Sequence, residues 1–260
     1  MPALAAALTV LAATLAGCPV NAGDTPVKEF KAVTAGTKAT YYLYLPSYHD
    51  RSRSWPMVVT LHGTYGFDSA RAQVREWRQL AEEHGFVVLA PALKSTQGIL
   101  PVGRHARLKD LQQDENRVID AINEVRRKYN IDPAAVMITG FSAGGYPLYY
   151  IALRNPELFS VMVARMCNCD LEILKTIPVT EKVRAMPMLI FFSKTGINPI
   201  SSHFNPVAVQ SWAAFRYLRQ HGCTKAEIKD VRGGHQRNPE LAFIFWRAHQ
   251  KQLRRPRQQD

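Results

Sequence analysis

Acidic residues are scarce in this chain: 21 Asp and Glu stand against 33 Lys and Arg, giving a formal net charge of +12. Such a surface favours anionic partners, nucleic acid among them. The basic side chains are scattered, however, and they form no stripe with interleaved aromatic residues. Because no nucleic-acid recognition motif accompanies the charge, we interpret it as a solvated basic surface and do not expect nucleic-acid binding.

Long apolar runs, internal repeats and Gly/Ser-rich linkers are also missing. The uninterrupted stretch of Ala, Leu, Val and Thr over residues 4–16 is too short to span a bilayer and has the length of a signal-peptide core. Of the 260 residues, 47% are hydrophobic and 21% charged, which is a globular composition. We predict a leader with a short linker over residues 1–23 and a single domain over residues 24–260.

The end of the apolar stretch indicates export. The tetrad Leu15-Ala-Gly-Cys18 resembles the bacterial lipoprotein cleavage box, in which the cysteine becomes the lipidated first residue. A cut after Ala22 is the alternative, since Val20-Asn-Ala22 has the small-x-small form. An ordinary N-terminal helix is disfavoured because the segment has no polar face. We therefore expect an extracytoplasmic protein, either secreted or anchored to a membrane through Cys18.

Cysteine is rare, with four in the chain. Cys167 and Cys169 are close neighbours, whereas the predicted layout places Cys223 at the far end of the sheet, beyond the reach of a disulfide. The spacing fits no zinc template. We expect neither a metal site nor a cofactor.

Short apolar strands alternate with helical segments from residue 40 onward. Strands are predicted over residues 40–45, 57–61, 86–90, 136–139, 160–164, 188–192 and 226–231, helices over 71–84, 110–129, 143–154, 207–221 and 239–250, and a loop over 92–109. This alternation predicts an α/β fold with a mostly parallel central sheet flanked by helices. Ligands bind such sheets at the carboxyl ends of the strands.

A serine stands at that edge in the segment Gly140-Phe-Ser142-Ala-Gly144-Gly145, directly between a predicted strand and a predicted helix. The bend must be tight, and the small neighbours leave room for the helix to pack against the strand. The unpaired N–H groups of the helix N-terminus lie beside the hydroxyl. The pattern predicts Ser142 as a nucleophile, with the N–H of Ala143 in an oxyanion hole.

A serine nucleophile requires a base, and His235 follows the last predicted strand at the same edge of the sheet. We predict that His235 is this base. The turn His62-Gly-Thr-Tyr-Gly66 follows the strand over 57–61. Its backbone, at Gly63 or Thr64, is predicted to supply the second oxyanion donor.

These segments, in this order, resemble the α/β-hydrolase fold. Within it, the chain resembles the polyhydroxybutyrate-depolymerase and feruloyl-esterase-like branch of secreted esterases, for which Tyr129-Asn-Ile-Asp-Pro133 before a strand and Thr139-Gly-Phe-Ser142 is typical. The resemblance implies a serine esterase, or a polyester-depolymerase-like enzyme, that cleaves small or polymeric carboxylic esters through an acyl-enzyme.

The acid of the triad departs from the family pattern. Such hydrolases usually carry Gly-x-x-Asp-Pro after the strand over 188–192, but this chain has Gly196-Ile-Asn198-Pro199 and no carboxylate between Glu181 and Glu227. Asparagine can orient an imidazole but cannot stabilise an imidazolium, and in a serine protease the Asp-to-Asn change costs about 10⁴ in rate. Asp170, after the preceding strand, is the first candidate and Asn198 the second. Glu172 and Asp230 rank below these two candidates.

The alternative for Asp170 is a helix N-cap for residues 171–175. The missing acid also sustains a second hypothesis, a catalytically weakened binding protein on a hydrolase scaffold. A peptidase of the same fold is a third reading, disfavoured because the chain has no extra domain to select peptides.

Overall fold

The computed structural model describes residues 29–97, 103–194 and 206–250. The strands are β1 Glu29–Val33, β2 Thr40–Tyr44, β3 Trp55–Leu61, β4 Val87–Pro91, β5 Ile131–Phe141, β6 Val161–Arg165, β7 Met188–Phe192 and β8 Ala226–Asp230. The α-helices are α1 Ala70–His84, α2 Arg104–Tyr129, α3 Gly145–Arg154, α4 Leu171–Leu174, α5 Glu181–Ala185, α6 Pro206–Gln220 and α7 Pro239–His249. Short 3₁₀ turns cover Ser142–Gly144 and Pro156–Leu158.

These strands form one sheet in the order β1-β2-β4-β3-β5-β6-β7-β8. The pairs β1–β2 and β2–β4 are antiparallel, and every later pair is parallel. The predicted α/β architecture with a mostly parallel sheet is therefore confirmed. The carboxyl ends of β3, β5, β6, β7 and β8 share one edge, and β5 lies between β3 and β6.

Apolar strands buried on both faces hold the two helical layers together. All seven residues of β3 and all five of β4, β6 and β7 are buried. On one face of the sheet the core includes Val118 of α2 and Leu148 of α3. On the other face it includes Trp77 of α1 and Trp246 of α7.

The structure differs from the predicted elements in several places. The edge strand β1 and the short helix α5 were not expected, and β1 is mostly exposed, so it carries no apolar pattern. Helix α4 corresponds to the helix named as the alternative for Asp170, and β5 begins five residues before its predicted start. Helix α2 begins at Arg104, inside the predicted loop over 92–109. The glycine that suggested a loop there, Gly103, is the N-cap residue of that helix.

In the part of the chain that the structure describes, no helix is both long enough and apolar enough to cross a membrane. The predicted leader, with Cys18, and the acid candidate Asn198 lie outside the described residues.

Candidate active site

The nucleophile turn has the strand–turn–helix form that the sequence predicts. Strand β5 ends at Phe141, the 3₁₀ turn begins at Ser142, and α3 follows at Gly145. Ser142 has φ = 52°, in the left-handed region that residues with a side chain rarely adopt. Such backbone strain is maintained only where the surrounding structure imposes it, and it is concentrated at functional sites.

The glycines around Ser142 are required by close backbone contacts. A Cβ atom on Gly144 would lie 2.4 Å from the carbonyl oxygen of Leu61, and one on Gly145 would lie 2.2 Å from that of Asn168. Real Cβ atoms essentially never approach backbone so closely, so a side chain at either position would displace α3 from the strands. The packing that forces the bend at Ser142 therefore depends on these small residues.

The three predicted oxyanion donors, the N–H groups of Gly63, Thr64 and Ala143, differ in whether they already donate to another acceptor. Gly63 lies against the nucleophile, since a Cβ on it would be 3.2 Å from Ser142 Cβ. Its N–H, however, donates to Asp68 Oδ2 at 2.7 Å. The Thr64 N–H has no acceptor among the described residues, and the Ala143 N–H lies in the first turn of a helix, where intrahelical acceptors are lacking. Ala143 and Thr64 are thus the donors that remain open.

The second sequence candidate, His235, is partly buried in the loop after β8. Its ring packs on Phe141, with 4.7 Å between ring centroids. Burial and the positive charge of Arg237 lower the pKa of His235. Within the described part of the chain, His235 makes neither a hydrogen bond to Ser142 nor an ion pair with a carboxylate. The fold thus brings His235 beside the residue that precedes the nucleophile.

The structure does not bring Asp170 to His235. Asp170 is the N-cap of α4, where its Oδ1 accepts from the Ile173 N–H at 3.3 Å. Its Oδ2 pairs with Arg107 Nη1 of α2 at 3.0 Å, and the Arg107 guanidinium lies over the Tyr146 ring. The capping alternative is therefore the arrangement found, because the carboxylate is held by α4 and α2.

The two lower-ranked acid candidates, Glu172 and Asp230, each form an ion pair with a lysine. Glu172 pairs with Lys175 at the surface, at 2.8 Å, and Asp230 pairs with Lys194 Nζ at 3.1 Å. Residues 195–205, which lie outside the described residues, include Asn198 but no carboxylate in their sequence. The described residues thus give His235 no acid partner.

Sequence reasoning missed a group of four charged residues, Asp68, Glu76, Arg165 and Arg237, which we call the ion cluster. Arg165, at the end of β6, has a fully buried side chain and pairs with Glu76 of α1. Arg237 pairs with both Asp68 and Glu76. The available signal was Arg165 itself, a charged residue at the end of an otherwise apolar strand, since charges are rarely buried unless they are paired.

His62 has a structural part in the turn after β3. Its Nε2 accepts from the Leu93 N–H at 3.1 Å, so Nδ1 carries the proton and donates to the carbonyl oxygen of Gly63 at 2.8 Å. Burial lowers the pKa of His62, which favours this neutral form. A neutral His62 therefore fixes the turn that carries Gly63.

The cysteines and potential ligands offer no competing chemistry in the described region. Cys167, Cys169 and Cys223 are buried free thiols, and burial raises the pKa of Cys167 to about 12. Such thiols are poor nucleophiles at neutral pH, since the thiolate is the reactive form. Among the residues described, no group of three or more His, Cys, Asp or Glu side chains is placed to hold a metal ion.

The parallel sheet, the strained serine between strand and helix, and the histidine after the last strand define the α/β-hydrolase fold, as the sequence resemblance implied. The chain belongs to the Esterase family: the family model, described as "Putative esterase", matches residues 32–169, which is more than half of the chain.

One curated relative is similar to the chain in sequence, and two solved structures are similar to it in fold. Acetylxylan esterase A of Aspergillus oryzae is 28% identical over 124 residues, which cover 47% of this chain and 40% of that protein. The chain thus spans less than half the length of this curated relative. The structure of an S-formylglutathione hydrolase from Staphylococcus aureus superposes with a TM-score of 0.61 at 15% identity, covering 86% of this chain and 95% of that one. A ferulic acid esterase from Anaeromyces mucronatus gives 0.61 at 13% identity, covering 84% and 88%.

Proposed function

We propose that this protein hydrolyses carboxylic esters through an acyl-enzyme formed at Ser142. The observation that carries the proposal is the left-handed backbone of Ser142, at φ = 52°, in a turn between β5 and α3. This turn exposes a hydroxyl beside the free N–H groups of a helix N-terminus. Membership of the Esterase family supports the same chemistry.

His235 transfers protons in the proposed reaction, and backbone N–H groups stabilise its intermediate. His235 takes the proton of Ser142 Oγ as the oxygen attacks the ester carbonyl, and then gives it to the departing alcohol. The N–H groups of Ala143 and Thr64 stabilise the negative oxygen of the tetrahedral intermediate. A water molecule then attacks the acyl-enzyme, His235 takes its proton, and Ser142 Oγ recovers a proton as the carboxylic acid leaves.

The substrate class is proposed from two exposed aromatic residues in the segment after Gly63, the glycine that lies against Ser142. Tyr65 and Phe67 are 62% and 77% exposed in the turn that follows Gly63. Large exposed aromatic residues beside a site favour a ligand with a flat apolar face, such as an aryl group or a sugar ring. We therefore propose small or polymeric esters of this kind, in line with the acetylxylan and ferulic acid esterases that resemble the chain.

A second candidate, a binding protein on a hydrolase scaffold with little turnover, is favoured by one observation. His235 has no carboxylate partner among the described residues, and burial together with the nearby charge of Arg237 lowers its pKa. The imidazolium formed during catalysis is therefore poorly stabilised, and turnover is expected to be slower than in a hydrolase with a complete triad.

The proposed location is extracytoplasmic, with the leader over residues 1–23 removed, Cys18 acylated, and a single domain over residues 24–260. The motif before Cys18 supports this. Detergent partitioning of the full-length protein and of Cys18→Ser tests it: the proposal requires the wild type in the detergent phase and the variant in the aqueous phase.

A fluorophosphonate probe tests the catalytic proposal. The probe should label the wild type at Ser142, located by peptide mapping, and should not label Ser142→Ala. Hydrolysis of p-nitrophenyl acetate and methyl ferulate would support the esterase. Labelling with no ester turnover would favour the binding protein, and turnover of a dipeptide anilide alone would favour a peptidase. Failure to label folded wild-type protein would refute a nucleophilic Ser142.

A further inference from the structure

The loop that carries His235 is attached to the rest of the site through Arg237, two residues further along. Arg237 Nη1 donates to Asp68 Oδ1 at 2.8 Å and to Glu76 Oε2 at 3.1 Å. Both carboxylates are largely buried, with side-chain exposures of 2% and 10%. Charge-assisted hydrogen bonds in such a setting are among the stronger polar contacts in proteins.

A second arm of the ion cluster holds the same loop through its backbone. The buried guanidinium of Arg165 pairs with Glu76, and its Nη1 also donates to the carbonyl oxygen of Arg237 at 3.3 Å. Arg165 is in turn fixed by Thr139 Oγ1 of β5 at 3.0 Å and Thr60 Oγ1 of β3 at 3.1 Å. The side chain of Arg237 is thus held by Asp68 and Glu76, and its carbonyl group is held by Arg165 at the end of β6.

The ion cluster also contacts the turn over residues 62–66, which is predicted to supply an oxyanion donor, and the end of β5, which precedes the nucleophile. Asp68 Oδ2 accepts from the Gly63 N–H at 2.7 Å and from Gln73 Nε2 at 2.8 Å. The Arg237 guanidinium lies 4.9 Å from the centroid of the Phe141 ring, the ring on which His235 packs. Arg237 therefore contacts both Phe141 at the end of β5 and Asp68, which in turn accepts the Gly63 N–H.

We propose that Arg237 is a positioning residue for ester hydrolysis: held by Asp68 and Glu76, it keeps the His235 loop against the Ser142 turn, in place of a carboxylate bonded to His235. The inference rests on the proposed function. Two residues span at most about 7 Å, so fixing Arg237 restricts where the imidazole can lie.

The position of Arg237 also has an electrostatic consequence. Burial lowers the pKa of His235, and the positive charge of Arg237 lowers it further, since a nearby cation disfavours the charged imidazole. Among the described residues, the other charged groups around this loop are the exposed Arg232 within it, Asp68 and Glu76 on the α1 side, Arg165 on β6, and the Lys194–Asp230 pair at the ends of β7 and β8. Removing the Arg237 charge leaves the carboxylates of Asp68 and Glu76 without this cation. The region around His235 then becomes more negative, so the pKa of His235 should rise.

The test compares Arg237→Gln, Arg237→Lys and the matched control Arg232→Gln, an exposed arginine of the same loop. Three quantities are measured in the full-length protein: the rate constant of fluorophosphonate labelling at Ser142, the Tm, and the NMR titration of His235. Arg237→Gln should slow labelling at least about tenfold, the factor that corresponds to one hydrogen bond to a charged group, and should raise the pKa of His235. Arg237→Lys should keep the low pKa and recover part of the rate, and Arg232→Gln should match the wild type.

The inference would be overturned if Arg237→Gln folds and shows the same labelling rate at Ser142 and the same His235 titration as the control Arg232→Gln. If Arg237→Gln does not fold, Arg237→Lys decides: slower labelling in a folded variant supports positioning, and labelling at the wild-type rate overturns it. Absent labelling of wild-type Ser142 would refute the proposed hydrolase, whereas the His235 titration would still show whether Arg237 acts on the imidazole.

Discussion

The imidazole of His235 packs against the phenyl ring of Phe141, with 4.7 Å between centroids and 34° between the ring planes. Phe141 immediately precedes Ser142, so this contact brings the proposed base to the nucleophile turn. The contact is apolar, however, and in the described structure no carboxylate fixes the imidazole tautomer. The base is therefore placed by ring packing and by the Arg237 anchor, which leads to a distinctive pH dependence.

The first prediction concerns pH. His235 must be neutral to accept the Ser142 proton, and burial with Arg237 lowers its pKa below 6.5. Activity should therefore be lost as the pH falls through this lowered value, so the midpoint of the acidic limb of kcat/KM should lie below pH 6.5. A pH–rate profile at constant ionic strength measures it. A midpoint above that value would indicate an anionic partner on His235.

The second prediction concerns Asp170. Because Asp170 caps α4 and pairs with Arg107, Asp170→Ala should lower the free energy of unfolding by about 0.5–2 kcal/mol and leave kcat/KM of the folded protein nearly unchanged. Arg107→Ala, which removes the pair but keeps the cap, is the control for urea unfolding. A loss of several orders of magnitude in kcat for Asp170→Ala would return Asp170 to the triad.

The third prediction concerns the ion cluster. Glu76→Gln leaves the fully buried Arg165 without its charged partner, and breaking a buried pair costs about 3–5 kcal/mol of unfolding free energy. Glu83→Gln, on the same helix but with a half-exposed side chain, should stay within about 0.5 kcal/mol of the wild type. Equal midpoints of urea unfolding for the two variants would contradict a stabilising ion cluster.

The fourth prediction concerns the exposed aromatic residues. Phe67→Ala should raise KM for aryl esters about twofold to tenfold with kcat unchanged, because a contact made equally in ground and transition states affects binding alone. Ile244→Ala, also a large exposed apolar residue but on α7, is the control and should leave KM unchanged. Unaltered KM in both variants would remove Phe67 from the substrate site.

The elements that the sequence predicted well carry strong local patterns. Strand β7 was predicted at its observed bounds, because five consecutive large apolar residues are buried there. The turn at Ser142 was predicted because its glycines mark a strand-to-helix bend. The edge strand β1 and the start of α2 at Arg104 were missed, since an exposed edge has no apolar period and a glycine at an N-cap looks like a loop signal.

The site was less predictable than the fold because its polar contacts join distant parts of the chain. Arg237 and Glu76 are 161 residues apart, and nothing in a single sequence pairs them. Asp170 was chosen from its place after β6, but the direction of its side chain is set by α4 and Arg107. The position of a residue relative to a strand predicts at which edge of the sheet the residue lies. It does not predict which partner its side chain contacts.

Trapping the acyl-enzyme is the decisive test of ester hydrolysis by Ser142 and His235. Wild-type protein, Ser142→Ala and His235→Asn would be mixed with p-nitrophenyl acetate, quenched in acid during turnover, and mapped by mass spectrometry. We expect an acetyl group on Ser142 in the wild type and continued release of p-nitrophenol, and we expect both to be lost in the two variants. An unmodified Ser142 in wild-type protein that still turns over the ester, or turnover retained in Ser142→Ala, would contradict this expectation.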